Sequence, residues 1–68
     1  MILRKAKHLT KKSVIILQSS AEAGKKEFWA VLDVKKDAVF VKGRIKHLTD
    51  GTTAPFSFFD DDFVEVYL

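Results

Sequence analysis

The chain has no cysteine, one proline, three glycines, one tryptophan and one tyrosine. Without cysteine there is no disulfide staple and no thiolate zinc site. Two histidines, His8 and His47, cannot hold a structural zinc ion without carboxylates. No apolar run approaches the roughly 20 residues of a membrane span. The apolar stretch 14–17 is far shorter than the ~7–15 residues of a secretory signal core. A cytoplasmic protein with no membrane association is expected. A glycine-rich phosphate loop and a nucleophile motif are both missing, so the expectation is a non-enzyme without cofactors.

The last third of the chain also lacks any base. Residues 1–47 hold all 12 Lys and Arg and four of the nine acids, whereas residues 48–68 hold five acids and no cation. The net charge of +3 therefore conceals a dipolar molecule. Such asymmetry bears on partners rather than on fold. The 68 residues suffice for one small domain. A chain this short buries only about 60% of its unfolded surface, which implies a stability of roughly 3–10 kcal/mol.

What is abundant is strand-like pattern. Segment 13–18 is short, β-branched and bounded by polar residues, and segments 28–34 and 38–46 are rich in Val, Ile and aromatics. Lys35-Lys36-Asp37 has the length of a tight hairpin connection, without the glycine such turns favour. Asp50-Gly51 is the strongest turn signal, since both residues tolerate positive φ. Segment 54–59 reads as a further strand with Pro55, which lacks an amide donor, at its start or on a sheet edge. In 62–68, Val64, Val66 and Leu68 alternate with Phe63, Glu65 and Tyr67. Residues 2–4 allow an additional first strand.

Helix finds little support. Ser19-Ser20-Ala21-Glu22 has capping-box spacing, but Gly24 limits it to one turn. Between Arg4 and Lys12 only Ala6 and Leu9 are apolar, too few to anchor a helix. The tetrapeptide Lys-His-Leu-Thr occurs at 7–10 and 46–49 with unlike flanks, which favours coincidence over duplicated halves. The expected fold is all-β: four to five short antiparallel strands in a small curled sheet or barrel, with at most one helical turn. The Src-homology-3, Tudor and Sm barrels are the architectural analogy, because curling hides a wet face and open edges. The barrel domain is expected over 13–68, with 1–12 a basic amino-terminal arm or edge strand.

Within 38–46, Val39, Val41, Gly43 and Ile45 share the expected core face, and Phe40, Lys42, Arg44 and Lys46 share the other. Within 28–34, Phe28, Ala30, Leu32 and Val34 form the smoother apolar face, leaving Trp29, Val31 and Asp33 opposite. If the two outward faces coincide, Trp29 and Phe40 stand among Lys42, Arg44 and Lys46. Aromatic platforms flanked by cations stack bases and meet the phosphates of single strands. The same rings equally suit a second core layer covered by Lys and Arg stems. Lys5 and Lys7, in a run that also holds Arg4, Lys11 and Lys12, either add phosphate contacts or belong to a solvated end.

Asp60, Asp61 and Asp62 sit among Phe58, Phe59, Phe63 and Tyr67. The segment reads as an anionic surface with apolar anchors, suited to a basic protein groove or to a second copy in a symmetric homodimer. It reads equally as a polar turn that keeps a terminal strand from aggregating. Neighbours on an extended chain face opposite ways, so no metal site is expected there. His8 and His47 read as surface or loop residues without a role. The first functional reading is a binding module that contacts nucleic acid through the basic–aromatic hairpin. The alternative is a small viral or mobile-element effector that inhibits a host protein through its acidic–aromatic segment, as a monomer or dimer.

Overall fold

Alternation of β-branched and polar residues yields six strands in the computed structural model, which describes residues 2–19 and 21–67. They are β1 (Ile2–Lys5), β2 (Val14–Gln18), β3 (Lys26–Lys36), β4 (Phe40–His47), β5 (Thr53–Phe59) and β6 (Phe63–Tyr67). All pair antiparallel in one sheet of order β1-β6-β2-β3-β4-β5. The fold is all-β as expected, with six strands rather than four to five. The sheet curls but does not close: β1 and β5 are its edges, so barrel closure is not found. Ser20 of the capping box and Leu68 of the last alternation lie outside the described residues. The rest of that box forms a turn, in which the Ala21 and Glu22 amides donate to Ser19 Oγ and Gly24 takes a φ of 81°.

A plug fills the gap between the edges. After β1 the chain makes one 3-10 turn, Ala6–His8. The Ala6 N–H donates to the Asp62 carbonyl at 2.8 Å and the Lys7 N–H to the Asp60 carbonyl at 3.1 Å. Ala6 and Leu9 then drop into the core and are among its most buried residues. The sequence argument that two apolar residues cannot anchor a helix is correct for a long one; they do anchor a single turn. The repeated tetrapeptide supports no duplication, since Leu9 is 1% exposed and its counterpart Leu48 is 54% exposed.

The core gathers Ile15, Val31, Val41, Ile45, Phe56, Val64 and Val66 around the plug, with Trp29, Val34 and Phe58 packed against it. Between Val31 and Asp33 the β3–β4 register shifts by one residue, so Val31 faces Ile45 and Asp33 faces Arg44. This β-bulge re-phases the strand. Val31 and Val34 both reach the core, whereas Leu32 and Asp33 are both exposed. The face assigned from alternation is therefore inverted ahead of the bulge. Leu32 is 42% exposed, Val31 is 3% exposed, and Phe28 also lies at the surface. Val39, expected in the core, falls instead in the exposed Asp37-Ala38-Val39 hairpin connection.

Gly43 makes the bulge possible. A Cβ there would collide with the Asp33 carbonyl oxygen and stand 2.8 Å from Phe56 Cε1. Ile45→Ala is expected to cost roughly 2–4 kcal/mol in denaturant unfolding, whereas Leu32→Ala costs under about 1 kcal/mol. Gly43→Ala is expected to destabilise by at least as much as Ile45→Ala, because backbone rather than a flexible side chain must move. A Leu32→Ala loss matching Ile45→Ala would contradict the bulge.

Candidate functional site

Cross-strand partners share a face, so the register of β3, β4 and β5 sets out their solvent side row by row. Phe40 faces Phe59, Lys42 lies between Lys35 and Ser57, Arg44 between Asp33 and Pro55, and Lys46 between Ala30 and Thr53. The Phe40 and Phe59 rings stack with centroids 5.1 Å apart and planes 28° from parallel. Lys42 Nζ stands 5.1 Å from the Phe40 centroid, within cation–π range. Lys35, Lys36, Asp37 and Lys42 border a hollow of about 430 Å³ at the hairpin tip.

No ion pair within 4.0 Å involves Lys35, Lys36, Lys42, Arg44 or Lys46 among the described residues. Arg44 Nη2 donates to Thr53 Oγ1 at 3.3 Å instead of meeting Asp33. Lys35 and Lys42 are direct cross-strand partners of like charge, an arrangement that costs a folded sheet up to about 1 kcal/mol.

Trp29 does not join this face. It pairs with Ile15 and His47 and packs against the core. Its indole Nε1 is buried with no hydrogen-bond partner among the described residues, so the side chain contributes by packing. Registered with His47, Trp29 takes the face opposite to Lys42, Arg44 and Lys46, and Phe59 takes the place beside Phe40. Phe59 is a residue that the sequence argument attached to the acidic segment. The signal that identifies it is the length of the β4–β5 turn, which fixes the register between 40 and 59.

Lys5 and Lys7 lie elsewhere, at 3.5 and 3.7 Å from Asp61, in exposed pairs of small energetic weight. The acidic triplet is engaged within the molecule. The Asp62 N–H donates to the Phe59 carbonyl at 3.1 Å, and Asp62 Oδ2 accepts from the Phe59 N–H at 3.0 Å. The Asp60 N–H donates to the Val39 carbonyl at 2.9 Å. With the amide of Phe59 turned outward, Ser57 and Pro55 share its orientation. Pro55 has no N–H to offer, so two of the donor positions on the open edge of β5 are closed. Phe63 and Tyr67, by contrast, are 65% and 54% exposed. They lie on the outer side of β6, where Tyr67 meets Phe28 edge-to-face at 5.5 Å.

His47 is not the surface residue expected. Its side chain is 12% exposed, with Nε2 3.2 Å from Glu27 Oε2. The Thr49 N–H donates to Nδ1 at 3.1 Å, which leaves the ring proton on Nε2 pointing at Glu27. The Trp29 ring stands edge-on to it at 4.7 Å. In the turn that follows, the Thr52 amide and hydroxyl hold the Asp50 carboxyl below its ordinary 3.8.

No protein-family model matches the chain, and no curated protein is similar to it. The functional reading therefore rests on geometry.

Two outcomes follow from this arrangement. Trp29→Ala is expected to lower stability by roughly 3 kcal/mol in thermal or denaturant melts. Because the Asp50 pKa is lower in the folded state than in the unfolded one, its stabilisation is complete above 3.8 and lost as pH falls through the lowered value. A titration followed at the Thr52 amide shows that step, and Asp50→Asn removes it.

Proposed function

We propose that the protein is a non-enzymatic binding module that holds single-stranded nucleic acid on the solvent face of β3, β4 and β5. The observation that carries the reading is the Lys35–Lys42 pair. Two like charges face each other across neighbouring strands with no carboxylate pairing either one. Local arrangements that weaken a fold without structural return are characteristic of functional sites. A phosphate in the adjoining hollow relieves the repulsion, and Arg44 and Lys46 continue the cationic track along β4. The stacked Phe40 and Phe59 rings offer a surface for an unpaired base.

In this reading Lys35, Lys42, Arg44 and Lys46 contact phosphates. Binding weakens with salt at a log–log slope of about −0.7 per contact, near −3 for the four. Phe59→Ala lowers affinity by about 1–3 kcal/mol with the slope unchanged. The decisive variant is Lys35→Thr. Removing the like-charge pair stabilises the fold by about 0.2–1 kcal/mol while oligonucleotide affinity falls and the slope flattens by about 0.7. If Lys35→Thr leaves affinity and slope unchanged, or if the wild type shows no salt-sensitive binding to any oligonucleotide, the reading fails.

A protein partner is the second reading, favoured by the exposure of Phe63 and Tyr67. The effector role then belongs to these aromatics rather than to Asp60, Asp61 and Asp62, which are engaged in the β5–β6 turn and in holding Lys5 and Lys7.

A further inference from the structure

At the other end of the sheet, near edge strand β1, a second hollow of about 200 Å³ is lined by Arg4, His8, Thr10, Lys12, Ser13, Val66 and Tyr67. Its nitrogen-bearing side chains, Arg4, His8 and Lys12, come from three places: β1, the 3-10 turn and the bend that precedes β2. None of its lining residues is acidic. Unlike Lys5 and Lys7, which share Asp61, Arg4, His8 and Lys12 enter no ion pair among the described residues.

The hydroxyls complete the donor set. The Thr10 N–H donates to Ser13 Oγ at 3.0 Å and the Lys12 N–H to Thr10 Oγ1 at 3.2 Å. Both oxygens thus already accept main-chain hydrogen bonds, and their own protons point elsewhere. The two oxygens are 3.4 Å apart. Even if one donates to the other, one hydroxyl proton is left for a ligand. These main-chain bonds also fix the bend, so Lys12 and both hydroxyls are carried on an ordered segment beside Arg4.

We infer that this hollow binds a phosphomonoester group, the phosphate held by Arg4, His8, Lys12 and a hydroxyl against the wall of Val66 and Tyr67. A guanidinium presents paired N–H donors to two phosphate oxygens at once, and lysine supplies a point charge. The volume is below the roughly 300–1,000 Å³ of pockets that enclose a whole drug-sized ligand. It therefore suits the phosphate itself, with the group that bears it left outside beside the exposed Tyr67 ring. The site is separate from the β3–β5 face, and neither depends on the other.

The test is a nuclear magnetic resonance titration of the full chain with inorganic phosphate, and in parallel with a 5′-phosphorylated trinucleotide and its 5′-hydroxyl form. Saturable shifts are expected at Arg4, His8, Thr10, Lys12 and Ser13 with phosphate and not with chloride at equal ionic strength. Arg4→Gln and Lys12→Gln should each weaken phosphate binding at least tenfold. Both positions are exposed, and unchanged melting of the variants establishes that the fold is intact. Tighter binding of the phosphorylated trinucleotide than of inorganic phosphate, lost in the 5′-hydroxyl form, assigns the group to a strand end. Equal binding assigns it to the free anion. Absence of saturable shifts at these residues, equal shifts with chloride, or full affinity in both variants would overturn the inference.

Discussion

At Leu32 the β3–β4 ladder admits one extra residue, and the division of side chains between core and solvent depends on it. Trp29 and Val31 point inward ahead of the bulge. Unbroken alternation would send Asp33 inward next and Val34 out, placing a carboxylate in an apolar core with no cation to pair it. Burying such a charge is far more costly than a local break in the ladder. The bulge passes over Asp33 and brings Val34 to the core instead. It can do so because Gly43 lets the Asp33 carbonyl approach where any side chain would collide. The extra twist a bulge gives its strand also suits β3, which pairs with β2 at one end and β4 at the other.

The charges follow from the same register. With β3 re-phased, Lys35 falls opposite Lys42, and the outward row of β4 stands beside the neutral strand β5. Four cations elsewhere find carboxylates: Lys5 and Lys7 at Asp61, Lys25 at Glu22, Lys26 at Glu65. The dipole seen along the chain is thus largely cancelled in space at the β5–β6 turn and left uncancelled along the β3–β4 hairpin. The open edge of β5 carries no charge to deter pairing with another strand. Pro55 and the Asp62 cap on Phe59 serve that purpose. The acidic triplet is accordingly a turn, an edge guard and a clasp on the plug.

Much of this fold was legible from residue types. The strands at 14–18, 53–59 and 63–67 follow from β-branched and aromatic runs, and the Asp50-Gly51 turn from the tolerance of both residues for unusual φ, realised at Gly51 with φ 76°. Alternation within β4 and β6 was also readable, since neither strand carries an extra residue of its own. The phase of β3 was not. A one-residue bulge reverses every side chain beyond it, and the only local sign was Asp33, a charge at an otherwise inward position. Trp29 was consequently placed on the wrong side and Phe59 was missed as the neighbour of Phe40. Ala6 and Leu9 read as too few to anchor a helix, and their burial was not legible because it depends on the gap between two sheet edges, which no local pattern encodes. The burial of His47 likewise comes from Glu27 and Trp29 on a neighbouring strand.

The central claim is that nucleic acid lies across the face of β3, β4 and β5, over the uncancelled charge of β3 and β4. Its most direct test is a map of resonance perturbations when a short single-stranded oligonucleotide is titrated at low and then near-physiological salt. The account predicts perturbations centred on Lys35, Phe40, Lys42, Arg44 and Phe59, fading together as salt rises, with the core indole of Trp29 little affected. Perturbations centred on Phe63 and Tyr67, or a response indifferent to salt, would contradict it.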